Sequence, residues 1–546
     1  MHTSMKTRIF LAIIATLSLV GTGCSKILDV ESQTKPTTEF LFNSPEGLSK
    51  AIIGLYPKDR TIANDNEAEL YAVLMFDYCT DLMVFRGGTA ATFARLDNFK
   101  TSLAQFGNYW KQLYQIIGKA NEIIKAAKEL GLENPQVAQA YGEACCFRAK
   151  SYFLLYQRYE RLYLNTEPTT IDNAFGRTFR AASKEEIFTQ IKADLEEASK
   201  YLDWTPVIGV SGNPDYGRMT KAVATHLRAQ VAMWENDWDG AITACESLFA
   251  CPSYGLMPTA ADVFNGREYR SKEVIYAFQF SENPGGGASV SGGVAVGHRI
   301  SLIVTPNYKK ITGMKNSTDN GGYGWGRVYP NSYLLSLFDK EKDNRYSTLF
   351  QHIFTYNNKE DLPAGKHIGD TLRLNDGFTS AQYLESAHPF TLKHADKWTN
   401  SDNPDRTSSF RDAIVYRLAE TYLIAAEAYF HKEGANSTKA HEYFNKTYTR
   451  AGNDTFTAPL TLDIILDEYA RELHFEGVRW GLLKRLGLLG ERVRLHAGDT
   501  KAEDPNLNAD YAQARTNFSD SRDWRWPIPQ SEIDLMPGFG QNPGWN

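Results

Sequence analysis

Apolar residues recur every three or four positions along most of the chain, which is the spacing of one buried face of an α-helix. Helices are predicted over about 137–161 and from Ser183 onwards, where Ser183 and Glu186 match a capping box. The most regular apolar stripe precedes them and consists of Trp110, Leu113, Ile117, Ala120, Ile124 and Ala127. The first half of the chain is therefore predicted to be mainly helical.

Further along, the helical pattern comes in pairs that are joined by short turns. One pair covers 221–235 and 238–249, and Asn236 and Asp237 break the helix between them. Helix pairs with small residues at the packing positions resemble tetratricopeptide units, although a plain array of amphipathic helices shows the same periodicity. Two more pairs are predicted near the end of the chain, over 410–432 with 438–450 and over 462–473 with a helix from Val478.

Two long segments lack this periodicity. Residues 283–330 are rich in glycine, and residues 351–409 are rich in turn formers. Long irregular segments inside a compact protein are often functional, because a rigid scaffold can hold binding residues on them. We therefore predict one large compact unit with irregular insertions.

The start of the chain has a different pattern. Lys6 and Arg8 precede an apolar run over 9–20, which is too short to span a bilayer, and small residues lead to Cys24. This order predicts a secretory signal peptide over residues 1–23. A small residue directly before Cys24 resembles the bacterial lipobox, in which the cysteine carries lipid as the new N-terminus. The alternative is an ordinary cleavage beside a chance cysteine.

The charge of the chain and the spacing of its cysteines limit which partners and metals can be expected. The formal net charge of the 546 residues is −6, and it becomes −8 when the two positive charges of residues 1–23 are removed. A mildly acidic chain argues against nucleic acid as a partner.

Cys145 and Cys146 lie in a helical pattern and are predicted to be buried free thiols, whereas Cys245 and Cys251 are close enough to pair. The chain has no CxxC and no paired Cys/His spacing, so no zinc site is predicted.

Motifs for catalysis and nucleotide binding are missing. The glycine-rich stretch PGGGASVSGG lacks the Lys-Ser/Thr of a phosphate loop, and there is no HExxH or GxSxG motif. His441 and Glu442 are adjacent, but the second histidine of a zinc protease is absent. We therefore predict no catalytic residue, no metal ligand and no cofactor.

An ordered series of motifs spans the chain. It includes GEACCFRAKSYFLLYQRY, RLAETYLIAAEAYF, LDEYARELHFEGVRWGLLKRLG and WPIPQSEIDLMPGFGQNPGW. Together these resemble the SusD/RagB family of outer-membrane nutrient-binding lipoproteins of Bacteroidetes, although Gly481 stands where that family usually has Asp. We interpret the motifs as scaffold: Gly477 is expected to close a helix in a tight turn, and Glu472 and Arg479 to pair with other buried charges.

The resemblance implies a mostly α-helical SusD-like fold of tetratricopeptide-like helix pairs with long loop-rich insertions and little β structure. Residues 24–546 would form a single binding domain, with 24–40 as a tether that is anchored in the outer membrane through lipid on Cys24. The partner would be a SusC-like TonB-dependent transporter, and the protein would capture a glycan at the cell surface and deliver it without breaking a bond.

The resemblance leaves other ligands and classes open. Some relatives serve peptide importers, so an oligopeptide is the alternative ligand. A surface glycoside hydrolase would need a raised-pKa carboxyl group facing a second carboxylate across a cleft. A pure protein-binding scaffold would show an exposed apolar groove. Whether a loop binds structural calcium is also open.

Candidate ligand-binding residues are chosen by chemistry, because exposed aromatic rings stack on the apolar faces of sugars and polar groups bind the hydroxyls. Trp325 and Tyr323 come first, since Gly322, Gly324 and Gly326 are expected to leave their rings exposed. Any single loop aromatic can instead pack into the body. The remaining candidates are Tyr308, Tyr329, Phe85, Arg86, Asp81 and Trp398.

Overall fold

The computed structural model describes residues 38–61, 78–87, 89–97, 99–170, 179–208, 212, 214–283, 285–291, 294–373, 379–399, 403–500 and 511–545. The predicted signal peptide, Cys24 and the rest of the tether up to residue 37 lie outside these residues. No helix in the described part of the chain is long and apolar enough to cross a membrane.

Helices make up most of the described elements. In the N-terminal half they are α1 (Thr38–Phe42), α2 (Pro45–Ile53), α3 (Leu55–Thr61), α4 (Thr89–Arg95), α5 (Ala104–Leu130), α6 (Pro135–Tyr159), α7 (Lys184–Tyr201), α8 (Lys221–Glu235), α9 (Trp238–Phe249) and α10 (Ala260–Val263). The remaining helices are α11 (Ile300–Val304), α12 (Ser332–Ser336), α13 (Asn344–Thr348), α14 (Ser380–Ser386), α15 (Leu418–Glu433), α16 (Thr438–Tyr448), α17 (Leu462–Leu473), α18 (Arg479–Arg485), α19 (Leu489–His496), α20 (Ala514–Asn517) and α21 (Gln530–Leu535).

The strands are short and pair two by two in antiparallel fashion. Their pairing order is β1 with β5, β2 with β8, β3 with β4 and β6 with β7. Their bounds are β1 (Met83–Phe85), β2 (Val274–Phe278), β3 (Ser289–Ser291), β4 (Val294–Val296), β5 (Val328–Pro330), β6 (Phe350–Gln351), β7 (Phe390–Thr391) and β8 (Ala413–Arg417).

The long helices form one array in which each helix packs on the next: α5 on α6, α6 on α7, α7 on α8, and α8 on α9. The array continues from α9 directly to α15 and then to α16 and α17, so residues 250–417 leave the array and return to it. The predicted bounds of α8, α9 and α17 are confirmed, and so is the capping box at Ser183.

One predicted helix was wrong in its first part. The prediction placed a helix over 410–432, but α15 begins at Leu418, and Ala413–Arg417 forms strand β8 instead. Ala413 and Ile414 pair with the end of β2. A short apolar run fits a buried strand as well as a helix, and its partner strand lies about 140 residues away in sequence.

The five described cysteines are all free and buried, namely Cys79, Cys145, Cys146, Cys245 and Cys251. The prediction is confirmed for Cys145 and Cys146, and the suggested pairing of Cys245 with Cys251 was wrong. Cys79, Cys145, Cys146 and Cys245 belong to the main apolar core, so the packing around these described cysteines does not depend on disulfides.

A cluster of buried ion pairs joins the C-terminal helices to residues between 273 and 417. It includes Glu472, which was expected to pair with other buried charges. The Glu472 carboxylate accepts hydrogen bonds from Arg345 (2.8 Å), Arg417 (2.7 Å) and Arg450 (2.5 Å). After α17, Gly477 adopts a φ of +78°, which confirms the predicted tight turn. The other members of the buried ion cluster are Glu273, Asp343, Lys393, Glu468 and Glu476.

Two small apolar clusters hold the insertions. One combines Val84 on β1, Tyr329 on β5 and Leu384 on α14. The other is built within 308–395, and its members are Tyr308, Ile311, Met314, Phe354, Tyr356, Leu372, Ala387, Phe390 and Ala395. The irregular segments therefore have cores of their own, which fix the position of the glycine-rich segment.

Candidate functional site

The β1–β5 pair brings together two regions that the sequence analysis singled out separately. Val84 lies opposite Tyr329 and Phe85 opposite Val328, and just beyond the pair the Arg86 N–H donates to the Arg327 carbonyl at 2.8 Å. The early loop and the glycine-rich segment, about 240 residues apart in sequence, therefore meet at one place.

Residues 323–327, which we name the Trp325 segment, are fixed by their backbone. The N–H groups of Trp325, Gly326 and Arg327 donate to carbonyls in and just after α11 at 2.8, 2.7 and 2.9 Å. The Arg86 guanidinium donates to the Gly326 carbonyl (2.8 Å) and the Trp325 carbonyl (3.1 Å). These hydrogen bonds tie the backbone of the segment to residues 302–305 and to Arg86.

The glycines of this segment serve close packing. A Cβ on Gly324 would lie 2.3 Å from the Thr305 carbonyl oxygen. Gly326 has a φ of +56°, and a Cβ there would lie 2.5 Å from the Glu385 carbonyl oxygen. Glycine is required at both positions because the backbone approaches another backbone. The glycines were expected to leave the neighbouring rings exposed, and the structure shows Trp325 and Tyr323 half-buried.

Two guanidinium groups lie over the Trp325 ring. The guanidinium carbons of Arg299 and Arg327 are 5.6 and 5.5 Å from the ring centroid. The inner part of Trp325 packs against the main apolar core, while Arg299 is exposed and Arg327 half-buried. The arrangement is an aromatic ring flanked by cations at the protein surface.

An acidic side chain, Glu385, completes the surroundings. Its carboxylate pairs with Lys310 at 2.6 Å and with Arg86 at 3.4 Å. Burial by itself raises the pKa of Glu385, but the hydrogen bond from Lys310 and the charges of Arg86 and Arg327 outweigh burial and lower the pKa. Glu385 is thus a carboxylate that already has its own cations.

Sequence comparison assigns the chain to a family. A family model described as "SusD family" matches residues 272–545, about half of the chain. The chain belongs to the SusD family. A second model, described as "Starch-binding associating with outer membrane", matches residues 26–208 of this SusD-family chain.

Curated relatives and solved structures agree with this assignment. SusD-like protein P2 of Formosa agariphila is 25% identical over 564 residues, covering 98% of each chain. SusD-like protein P25 of the same organism is 23% identical over 498 residues, covering 84% of this chain and 88% of P25.

Among solved structures, a laminarin-binding SusD-like protein superposes with a TM-score of 0.70 at 20% identity, covering 92% of this chain and 99% of that one. Surface glycan-binding protein A from Bacteroides thetaiotaomicron, in complex with laminarihexaose, gives 0.69 at 20% identity, with 91% and 99% covered. The predicted fold class is confirmed.

Four of the predicted site residues are interior residues of this SusD fold: Tyr308, Tyr329, Phe85 and Asp81. The Tyr308 hydroxyl donates to the Gly322 carbonyl (2.5 Å) and accepts from the Ser317 N–H (3.0 Å), so it supports the glycine-rich segment from below. A surface ligand cannot reach these four side chains as they are placed, and we leave them out of the candidate site.

Asp81 has a structural partner instead of a ligand. Its carboxylate is fully buried and accepts from Arg479 at 2.6 and 2.8 Å and from Arg492 at 3.1 Å. Burial raises the pKa of Asp81, but Arg479 and Arg492 lower it further, so the net direction is down. The expected pairing of Arg479 with a buried charge is confirmed.

The other predicted residues occupy two places. Arg86, Tyr323 and Trp325 belong to the region just described. Trp398 is half-buried elsewhere in the insertion, with the buried Arg411 guanidinium 4.6 Å from the centroid of its ring. Trp398 therefore stays a separate prediction.

Sequence analysis missed Arg299, Arg327, Lys310 and Glu385. Arg327 stands two positions after Trp325 and could have been noted as a charge in a glycine-rich segment. Arg299 carries no such signal, because its proximity to Trp325 depends on how α11 packs beneath the segment. Glu385 and Lys310 likewise meet only in three dimensions.

Two cavities lie away from this region. One, of about 150 Å³, lies between α6, α8 and α15 and is lined by residues such as Leu154, Gln230 and Glu420. The other is a cleft of about 400 Å³ beside β2, lined by residues such as Tyr216 and Tyr254. None of the predicted site residues lines either cavity.

His388 makes the packing below the site sensitive to acid. Its ring stacks on Tyr329 at 4.2 Å, its Nδ1 donates to the Pro389 carbonyl, and burial lowers its pKa to about 3. An unfolded histidine titrates near about 6.5. Because the folded pKa is the lower one, the neutral ring stabilises the fold fully above about pH 6.5, and this contribution is lost as the pH falls towards 3.

We expect the His388→Gln protein to lose this part of the pH dependence, which amounts to roughly 2 kcal/mol at pH 5. Urea unfolding of both proteins between about pH 5 and 8 measures it. His298 and His394, with pKa values lowered to about 4, add to the acid sensitivity of both proteins, and Asp412, with a pKa raised to about 6, opposes it. Parallel pH profiles for the two proteins would contradict the assignment to His388.

Proposed function

We propose that this SusD-family chain binds glycans at the Trp325 segment. The observation that carries the proposal is the rigid mounting of Trp325: the ring is half-exposed, its backbone is held by α11 and Arg86, and cations lie around it. Two similar structures are a laminarin-binding protein and a glycan-binding protein in complex with laminarihexaose, which supports the ligand class.

The chemistry of the segment suits sugars. A sugar ring has an apolar C–H face that an indole can cover, and its hydroxyls accept hydrogen bonds from guanidinium groups. A binding ring that is fixed in advance loses little conformational entropy when the ligand arrives. Tyr323, half-buried on the same segment, is the second ring in our proposal, and Trp398 remains an outlying candidate.

Anchoring and partner are part of the same proposal. Cys24 would carry lipid at the outer membrane, in keeping with the matched description "associating with outer membrane". The protein would be displayed on the cell surface and would pass its cargo to a SusC-like TonB-dependent transporter.

We further propose that the chain binds without cleaving. A general acid needs a raised pKa, and among the described carboxyl groups burial raises the pKa of Asp194, which is held by Arg148, and raises that of Asp412 to about 6. Asp412 is only 5% exposed, and its oxygens accept from the Tyr269 N–H (3.1 Å) and the Phe280 N–H (3.0 Å). A carboxyl group so placed supports a loop and does not face a glycan.

Affinity electrophoresis of residues 25–546 through gels that contain single polysaccharides tests the function. We expect retardation by at least one polysaccharide, with no new reducing ends after incubation. Release of reducing ends would favour the hydrolase class. Absence of retardation across plant, algal, fungal and host polysaccharides would overturn the glycan proposal, and binding in a matched panel of oligopeptides would then favour a peptide-import lid.

A further inference from the structure

Two of the three arginines near Trp325 have no ion-pair partner within the described ranges of the chain. Arg86 is used by the fold, since it donates to two carbonyls and pairs with Glu385. The guanidinium groups of Arg299 and Arg327 differ: among the described residues, neither forms an ion pair or a side-chain hydrogen bond. Their one shared contact is the Trp325 ring.

Within the described part of the chain, no acid lies within ion-pair distance of either guanidinium group, although the charge of Arg327 contributes to the lowered pKa of Glu385. Glu385, the carboxylate of this region, is held by Lys310 at 2.6 Å and by Arg86. Lys309, next to Lys310, pairs with Asp405 at 3.1 Å. Arg299 and Arg327 are therefore two cations beside the Trp325 ring that the described residues leave without an ion pair, although the whole chain carries a formal net charge of −6.

A guanidinium group has a fork of N–H donors that matches the oxygens of a carboxylate or a sulfate. The ring quadrupole holds such a group near its face but does not satisfy those donors. Arg299 and Arg327 are thus positioned by Trp325 with donors available to a ligand. An anionic substituent on a sugar that covers the ring would meet them directly.

We propose that the Trp325 segment selects glycans that carry anionic groups, either uronic acid carboxylates or sulfate esters, and that Arg299 and Arg327 bind those groups. The inference rests on the proposed glycan-binding function and narrows it to a charge class. In this proposal the Trp325 ring covers the apolar face of the sugar, and the two arginines bind its anionic group.

Titration calorimetry of residues 25–546 with three classes of glycan tests this: neutral polysaccharides, polyuronates, and sulfated polysaccharides. We expect tighter binding to at least one anionic class than to any neutral one. We also expect affinity for the anionic glycan to fall at least severalfold between about 50 and about 500 mM NaCl, because partly exposed charges are screened. The two anionic classes distinguish carboxylate from sulfate recognition.

Substitutions test whether Arg299 and Arg327 are the residues that recognise the charge of the glycan. The Arg299→Gln, Arg327→Gln double variant is expected to weaken anionic binding about tenfold or more and to flatten its salt dependence. It should fold normally, because neither side chain takes part in the ion pairs of the fold, and urea unfolding checks this. Arg228→Gln is the matched control, since Arg228 is an exposed arginine on α8 with the same charge.

The outcomes separate the two proposals. Neutral glycans that bind as tightly as anionic ones, with no effect of the double variant, would overturn the charge inference and keep the glycan function. An equal loss in the Arg228→Gln protein would also overturn it, because the effect would then come from net charge. If no glycan of any class binds, the function and the inference both fail.

Discussion

Trp325→Ala is expected to weaken glycan binding by roughly 30-fold or more, enough to abolish retardation in an affinity gel. Central aromatic contacts in binding sites typically contribute about 2 kcal/mol or more, and each 1.4 kcal/mol corresponds to about tenfold in affinity. The substitution removes the ring that covers the sugar and the support that positions Arg299 and Arg327. Trp325→Phe keeps a smaller ring and should recover part of the affinity.

The control for this variant is another half-buried tryptophan with a cation on its ring. Trp204, between α7 and α8, has the Lys221 Nζ 5.2 Å from its ring centroid. Trp204→Ala removes a similar side chain from a similar environment and should leave glycan binding unchanged. Calorimetric titration of both proteins, with unfolding curves to show that each is folded, decides the matter. Equal affinities would mean that the ligand lies elsewhere on the chain.

Glu472→Ala is expected to destabilise the fold by roughly 3–5 kcal/mol, because it leaves buried guanidinium groups without one of their carboxylates. Burial raises the pKa of Glu472, yet Arg450, Arg417 and Arg345 lower it well below its ordinary value, so the carboxylate is ionised inside the protein. A loss of this size is a large fraction of the about 5–15 kcal/mol that keeps a typical domain folded.

Urea unfolding followed by circular dichroism measures the effect. Glu442→Ala serves as its control, because Glu442 is exposed and pairs with Lys439 at 2.9 Å in an i, i+3 surface contact. Such surface pairs contribute about 0–1 kcal/mol, so the control should be nearly neutral. If Glu472→Ala loses no more stability than Glu442→Ala, the buried ion cluster does not hold α17 in place.

The helical array could be predicted because its signals are local. The bounds of α8, α9 and α17 follow from apolar spacing and from capping side chains within a few residues of each end. Strand β8 could not be predicted in the same way, since Ala413–Arg417 is a strand only because β2 lies beside it. Where a short apolar segment depends on a distant partner, its pattern alone does not decide between helix and strand.

The candidate site was predictable in its residue types but not in its exposure. Trp325 and Arg86 were chosen as ring and cation, and the structure places them together. Tyr308 and Tyr329 are of the same chemical kind and lie in the same segment, yet they face the interior. Burial of a loop aromatic depends on which other segments cover it. Here Val84 and Leu384 pack with Tyr329, and residues such as Phe354 and Phe390 pack with Tyr308.

Because residues elsewhere in the chain hold Trp325 in place, its binding surface cannot be transferred as an isolated loop. The backbone partners of the segment lie in residues 302–305, and its other supports come from Arg86 and from the backbone at Glu385. A loop copied from residues 318–330 into another protein would leave these partners behind and lose its shape. Ligand preference in such a surface can change most readily by exchange of the outward side chains, such as Arg299, while the frame beneath them stays the same.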